Sequence, residues 1–197
     1  MKHEWKKHER KLYGTGEKPV VITVPPQKYI MIDGRGDPNG EDFSQRVGVL
    51  YSLAYPIKMT FKTQFTDYTV YPLEGVWKTA NPDDLSDKNS FVYTIMIRQP
   101  DFITAEMFET AQLAVAKKKP HPLLTDIVFE TVEDGMCVQA LHRGSFDKET
   151  ETFSKMDKFA AENNLARLNR SHREIYLNDA RKTVPEKRMT ILRYMVG

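Results

Sequence analysis

Hydrophobic and polar positions change period several times along the chain. "PVVITV" (19–24) is a β-branched run halted by Pro25-Pro26, and "KYIMIDGRG" (28–36) is a second extended run ending in a glycine-punctuated turn. From about Asp42 to Ile57 the spacing turns helical, with Phe43, Val47, Leu50, Tyr51 and Ala54 on one face. Val49, Leu53 and Ile57 make the opposite side apolar too, so this helix is expected to be largely covered. Alternation returns in "DYTVYPLEGVW" (67–77) and "FVYTIMIRQ" (91–99), with the polar loop "KTANPDDLSDKNS" between them. A second helix follows over about 104–118. Thr104 suits its N-cap, Glu106 its first turn and Lys117–Lys119 its C-terminal dipole, and Pro120 and Pro122 stop it.

The same order then recurs. "DIVFETV" (126–132) reads as a strand, Glu133-Asp134-Gly135 as a tight turn, and "MCVQALHRG" (136–144) as a strand ending in glycine. Asp147 is placed to cap a helix over about 148–163 carrying Phe153, Met156 and Ala160, and "REIYLND" and "MTILRYMV" (189–196) close the second half. Each half therefore reads strand–turn–strand–Gly–helix–strand–strand, repeat one over about 19–99 and repeat two over about 126–197, with the 104–118 helix joining them. The expected fold class is α+β. Two β-α-β-β repeats related by a pseudo-twofold axis share an antiparallel sheet, with helices on one face and a central ligand groove.

Composition narrows the function classes. Over 197 residues, 29 basic and 27 acidic side chains are interspersed, giving a formal charge of +2. That balance offers no electrostatic case for nucleic acid or a membrane surface as partner. The basic segment at 1–18, which opens "MKHEWKKHERK", reads as a solvated face. A single cysteine, Cys137 in the apolar run "MCVQAL", excludes an intrachain disulfide framework and reads as a small buried hydrophobe. No signal-peptide core or membrane-length apolar run is present, so a cytoplasmic location is the expectation.

Candidate chemistry concentrates in aromatic residues and strand carboxylates. The five histidines show no metal-ligand spacing, and neither metal nor cofactor is expected. Gly34-Arg35-Gly36-Asp37 lacks the frame of a phosphate loop, and no nucleophile elbow occurs. Tyr51 and Tyr55 stand one turn apart on the first helix; Tyr68, Tyr71 and Trp77 lie along one strand, with Tyr93 on the next. In "HREIYLND" alternation puts His172, Glu174 and Tyr176 on one face, opposite Ile175 and Leu177. A carboxylate in an aromatic cleft has two physical uses. It can pair with a cationic ligand, or, with its pKa raised by desolvation, act as a general base toward water.

The chain resembles the GyrI-like small-molecule-binding family over nearly all of residues 2–197. The resemblance rests on "QRVGVLYSLAYPIK", "YTVYPLEGVW", "YTIMIRQPDF", "KKKPHPLL" and above all "HREIYLNDARKTVPEKRMTILRY". It implies two SHS2-type units around a ligand groove, related to the effector-binding domains of multidrug-sensing transcription activators. No DNA-binding segment precedes the domain in this sequence, which argues against a complete transcription factor. In such effector domains a late-strand glutamate, matching Glu174 here, engages lipophilic cations in an aromatic pocket. Some stand-alone members hydrolyse the strained cyclopropane of DNA-alkylating cyclopropylpyrroloindole antibiotics, such as yatakemycin and duocarmycin relatives, and this sequence looks closer to them. The resemblance then implies planar lipophilic or cationic small molecules as partners, stacked among Tyr51, Tyr55, Tyr71, Trp77 and Tyr93. It likewise implies that Glu174 orients or deprotonates water, with Tyr176 or Tyr71 as the candidate phenol donor. A non-catalytic multidrug-binding or sensing module and a protein-directed inhibitor are the competing readings.

Overall fold

The computed structural model describes residues 2–79 and 87–197, so residues 80–86 of the expected polar loop lie outside the described residues. Repeat one contributes β1 (Val20–Val24), β2 (Gln27–Arg35), β3 (Leu73–Thr79) and β4 (Phe91–Gln99). Repeat two contributes β5 (Val128–Val132), β6 (Gly135–Arg143), β7 (His172–Tyr176) and β8 (Met189–Met195). All eight join one antiparallel sheet in the order β1-β6-β8-β7-β3-β4-β2-β5. Exchanging the two repeats reverses this order onto itself, as a pseudo-twofold axis at the β3–β7 seam requires.

The first strand of each repeat does not pair with its own neighbour. β1 runs beside β6, with Ile22 opposite Cys137, and β5 runs beside β2, with Phe129 opposite Ile30. Pro25-Pro26 explains the first crossing. Two consecutive prolines fix φ and remove two donors, so the chain continues across the molecule instead of folding into a hairpin. In repeat two the expected tight turn is the corresponding crossing, and Gly135 makes it with a φ of 64° that side chains disfavour.

Directly opposed residues in this register point to the same face. One face carries Ile30, Ile32, Leu73, Trp77, Ile95 and Ile97 in repeat one and Val138, Ala140 and Leu192 in repeat two. Here α3 (Glu41–Phe61) packs on β2 and β4, and α5 (Glu149–Glu162) packs on β6 through Met156 and Ala160. Both apolar sides of α3 are buried, as its sequence requires. Val47, Leu50, Leu53 and Ile57 each contribute about 1.5–3 kcal/mol by burial, outweighing the roughly 3 kcal/mol that Pro56 costs inside a helix. The joining helix α4 (Ala105–Lys118) is capped as expected, the Met107 amide donating to Thr104 Oγ1 at 3.2 Å. It lies against α3 and stacks Phe108 on Phe129 at 5.6 Å. In α5 the expected cap is not used: Asp147 sits in a single 3-10 turn, Phe146–Lys148, and the helix starts at Glu149.

The reverse face departs from expectation. It presents Gln27, Tyr29, Glu74, Arg98, Gln139, Arg173 and Arg193, all buried. Their cover is the N-terminal segment, as α1 (Trp5–His8) and α2 (Arg10–Tyr13). Trp5 and Tyr13 are only 4% and 5% exposed, so this segment is docked instead of solvated, and helices occupy both faces. The Trp5 indole donates to the Val70 carbonyl at 3.0 Å, and Glu9 pairs with Arg98. Arg173 reaches Glu74 at 2.9 Å and Asp134 at 2.8 Å. Residues 67–72, expected as strand, instead receive this segment through a bridge between His3 and Tyr68. Cys137 is buried as expected, and burial pushes its thiol up to about 11. Among the described residues no helix is long and apolar enough to cross a membrane.

Candidate functional site

The seam between the repeats builds the site. On the α3/α5 face, β3 and β7 place Gly75 opposite Glu174 and Trp77 opposite His172. Gly75 leaves an opening in the sheet surface that the Trp77 ring fills. A Cβ there would stand 2.6 Å from the indole Nε1, so only glycine lets the ring lie down beside the glutamate. Glu174 is therefore a strand residue whose side chain points between the two helices.

Its partners come from the same strand and from the start of α5. His172 Nε2 lies 3.0 Å from Glu174 Oε1, and the Tyr176 hydroxyl is in hydrogen-bond contact with the same carboxylate. Trp77 Nε1 donates to the Tyr176 oxygen at 3.0 Å, which leaves the phenol proton directed at Glu174. Burial first, then the charge of Glu174, holds the Tyr176 phenol far above its ordinary value, so it stays neutral. Glu149, the first residue of α5, joins from the opposite wall. Donor atoms of Glu149, His172 and Glu174 all lie within 4.8 Å of one another. Glu149 is 8% exposed and its Oε1 is buried without a hydrogen-bond partner. Desolvation, reinforced by Glu174 and Asp147, raises the Glu149 carboxyl well above the usual range and favours its neutral form.

Aromatic rings wall this polar centre. Trp77 meets Tyr93 at 5.0 Å, Phe43 at 5.7 Å and Phe91 at 6.1 Å between ring centroids. On the α5 side Phe153 stands edge-on to His172 at 4.8 Å and Phe146 edge-on to Tyr176 at 6.0 Å. The His172 side chain is 22% exposed against 11% for Glu174. A cavity of about 280 Å³ lies elsewhere, beside Lys11, Leu12 and Val20–Thr23. Its lining holds no carboxylate or aromatic ring.

The structure brings Glu174, Tyr176 and Trp77 together, with Tyr93 behind the indole. The Tyr93 ring crosses Gly34, its hydroxyl lies 3.4 Å from Asp42, and burial pushes it up to about 12. Tyr51 and Tyr55 lie 6.0 Å apart on α3, Tyr51 partly buried near Asp179 and Tyr55 54% exposed, and neither makes a ring contact with Trp77 or Tyr176 among the described residues. Tyr71 is not brought to Glu174. Its hydroxyl bonds Glu9 and its ring lies under Arg98, in the layer that holds the N-terminal segment on the reverse face. Sequence reasoning placed His172 on the right face without assigning it a role, and it missed Glu149, Phe43 and Phe146. An acidic residue in a first helical turn reads simply as a complement to the dipole, so Glu149 carried no signal of its own. The three donors stand close enough to hold a metal ion, which would displace the His172–Glu174 contact and any proton on Glu149. The arrangement suits proton sharing.

A family model described as GyrI-like small molecule binding domain matches residues 17–194. Among solved structures, an uncharacterized conserved protein from Listeria innocua is 39% identical and covers 99% of this chain and 100% of its own, with a TM-score of 0.93. A hydrolase from the same organism is 39% identical over 100% of both chains, with a TM-score of 0.92. Another Listeria innocua hydrolase is 37% identical, covers 99% of this chain and 100% of its own, and gives a TM-score of 0.89. A comparison with curated proteins finds no match.

Proposed function

The chain belongs to the GyrI-like small-molecule-binding family, and from that premise we propose that it is a cofactor-independent hydrolase acting on planar, electrophilic small molecules. The substrate class is the spirocyclopropyl dienone of DNA-alkylating cyclopropylpyrroloindole antibiotics, and the role is protection of the cell. Two similar structures are described as hydrolases, which supports the reaction class. The observation that carries the reading is Glu174, a carboxylate set at the seam of two repeats and walled by aromatic rings.

The chemistry follows from that setting. A flat conjugated ligand stacks on Trp77 and the phenylalanines, where each ring contact is worth roughly 0.5–1.5 kcal/mol beyond area burial. Glu174 then accepts a proton from a water aimed at the cyclopropane methylene. The new C–O bond forms as the strained C–C bond breaks, and its electron pair passes into the ring to leave a phenolate, which becomes a phenol on protonation. Tyr176, clamped between Trp77 and Glu174, fixes the direction of the carboxylate. Release of ring strain supplies driving force, so neither a metal nor a covalent nucleophile is needed.

A second reading has its own support. A carboxylate among aromatic faces also suits a lipophilic cation, held without turnover. Incubation of the purified protein with a cyclopropylpyrroloindole antibiotic, followed by mass spectrometry, separates the two. Hydrolysis gives a product heavier by one water at a rate above the buffer blank. Unchanged compound together with tight binding of tetraphenylphosphonium would establish the binding-only reading instead.

A further inference from the structure

The ring-opening reaction needs a proton at both ends. Water loses one as it attacks, and the dienone oxygen gains one as the ring becomes a phenol. Neither phenol singled out from the sequence fills the second place. Tyr71 lies on the reverse face, and the Tyr176 proton already points at Glu174. One group in the site has a proton to give and nothing bonded to its buried oxygen. We propose that Glu149 is the proton donor of the reaction, handing its proton to the carbonyl oxygen of the spirocyclopropyl dienone while Glu174 takes one from water. This assignment rests on the hydrolase reading above.

Three observations carry it. Glu149 is more than nine-tenths buried, its Oε1 has no partner, and its donor atom lies within 4.8 Å of those of His172 and Glu174. It enters from α5 while Glu174 enters from β7, so the two carboxyls approach the space from different elements. The start of α5 is fixed by packing, since Thr152 one turn on is buried and bonds His142 Nδ1 at 2.9 Å. The groups facing Glu149 are Glu174, His172 and Tyr176 from β7 and Asp147 from the preceding turn, with Lys88 beyond at 3.9 Å from Asp147. The negative charges nearest it favour its neutral form, as in other carboxyl pairs that share one proton.

The step balances. Water's oxygen bonds the methylene carbon and its proton goes to Glu174. The cyclopropane C–C electron pair aromatises the ring, and the oxygen so charged takes the Glu149 proton. The pair then holds the same one proton, on Glu174 instead of Glu149, and its return through a bridging water or by exchange with solvent restores the starting state.

The test uses the full-length protein and a cyclopropylpyrroloindole antibiotic, with kcat followed from pH 5 to pH 10. Wild type should show an alkaline limb as Glu149 loses its proton. Glu149→Gln, which keeps shape but has no transferable proton, should lower kcat at least about hundredfold and lose that limb. Glu149→Asp should keep the limb at a reduced rate, which a purely structural role for the residue does not predict. Thermal unfolding of each variant confirms that the fold persists. Wild-type turnover matched by Glu149→Gln, limb included, overturns the assignment and leaves the hydrolase reading standing. No turnover by wild type overturns both. Retention of one equivalent of Zn²⁺ by wild type but not by Glu149→Gln would make the three residues a metal centre and also overturn it.

Discussion

At the scale of single residues, the site depends on a glycine and a ring as much as on its carboxylates. Gly75 lets Trp77 lie beside Glu174, and Trp77 in turn holds Tyr176 by a 3.0 Å hydrogen bond. Gly75→Ala would put a methyl 2.6 Å from the indole nitrogen, so the ring must move. Overpacking of this kind costs about 1–3 kcal/mol, and turnover should fall at least tenfold with the loss of Trp77–Tyr176 alignment. Urea denaturation and an activity assay read the two effects separately. Tyr176→Phe tests positioning from the other side. It strands the Trp77 N–H and frees the Glu174 carboxylate to turn, so stability should drop by about 1–3 kcal/mol while activity is reduced but measurable. Strand alternation in "HREIYL" made the facing of Glu174 and Tyr176 legible from sequence. The approach of Glu149 was not, because it depends on how α5 docks and not on local spacing.

At the scale of elements, the N-terminal segment is where sequence and structure diverge most. Its lysines and arginines read as a solvated face, yet Trp5 and Tyr13 are buried and Glu9 sits among Arg98, Tyr71 and His3. The apolar anchors are spaced too widely for an amphipathic stripe, and their partners lie on the reverse face of a sheet not yet assembled in the sequence. Burial opposes ionisation of Glu9, but hydrogen bonds from Tyr71 and His3 and the charge of Arg98 overcome it, and its carboxyl is held below the usual range. A lowered folded-state pKa contributes stability that is complete above the ordinary carboxylate value near 4.5 and fades as pH falls through the folded value. Glu9→Gln should therefore cost about 1.5–3 kcal/mol at pH 7, with the gap to wild type narrowing toward pH 3. Urea midpoints across that range check the sign, and a gap that widened on acidification would contradict it.

At the scale of the whole molecule, the two repeats interlock. The order of elements showed the repeat and pointed to its pseudo-twofold form, which the resemblance to GyrI-like domains also implied. What stayed hidden was the exchange of first strands, because "PVVITV" has the same alternation whether it pairs with β2 or with β6. Since β1 completes the second half and β5 the first, neither repeat carries its whole sheet. Calorimetry should accordingly show one unfolding transition, and two resolved transitions would mean the halves are independent. On the proposed function the interlock matters because it fixes the β3–β7 seam that carries Glu174. The central claim is that this carboxylate activates water in addition to holding the ligand. Turnover of a cyclopropylpyrroloindole antibiotic by Glu174→Gln, measured alongside its binding by Trp fluorescence, tests that most directly. The account predicts near-wild-type affinity with turnover reduced to the buffer rate, whereas wild-type turnover by the variant would contradict it.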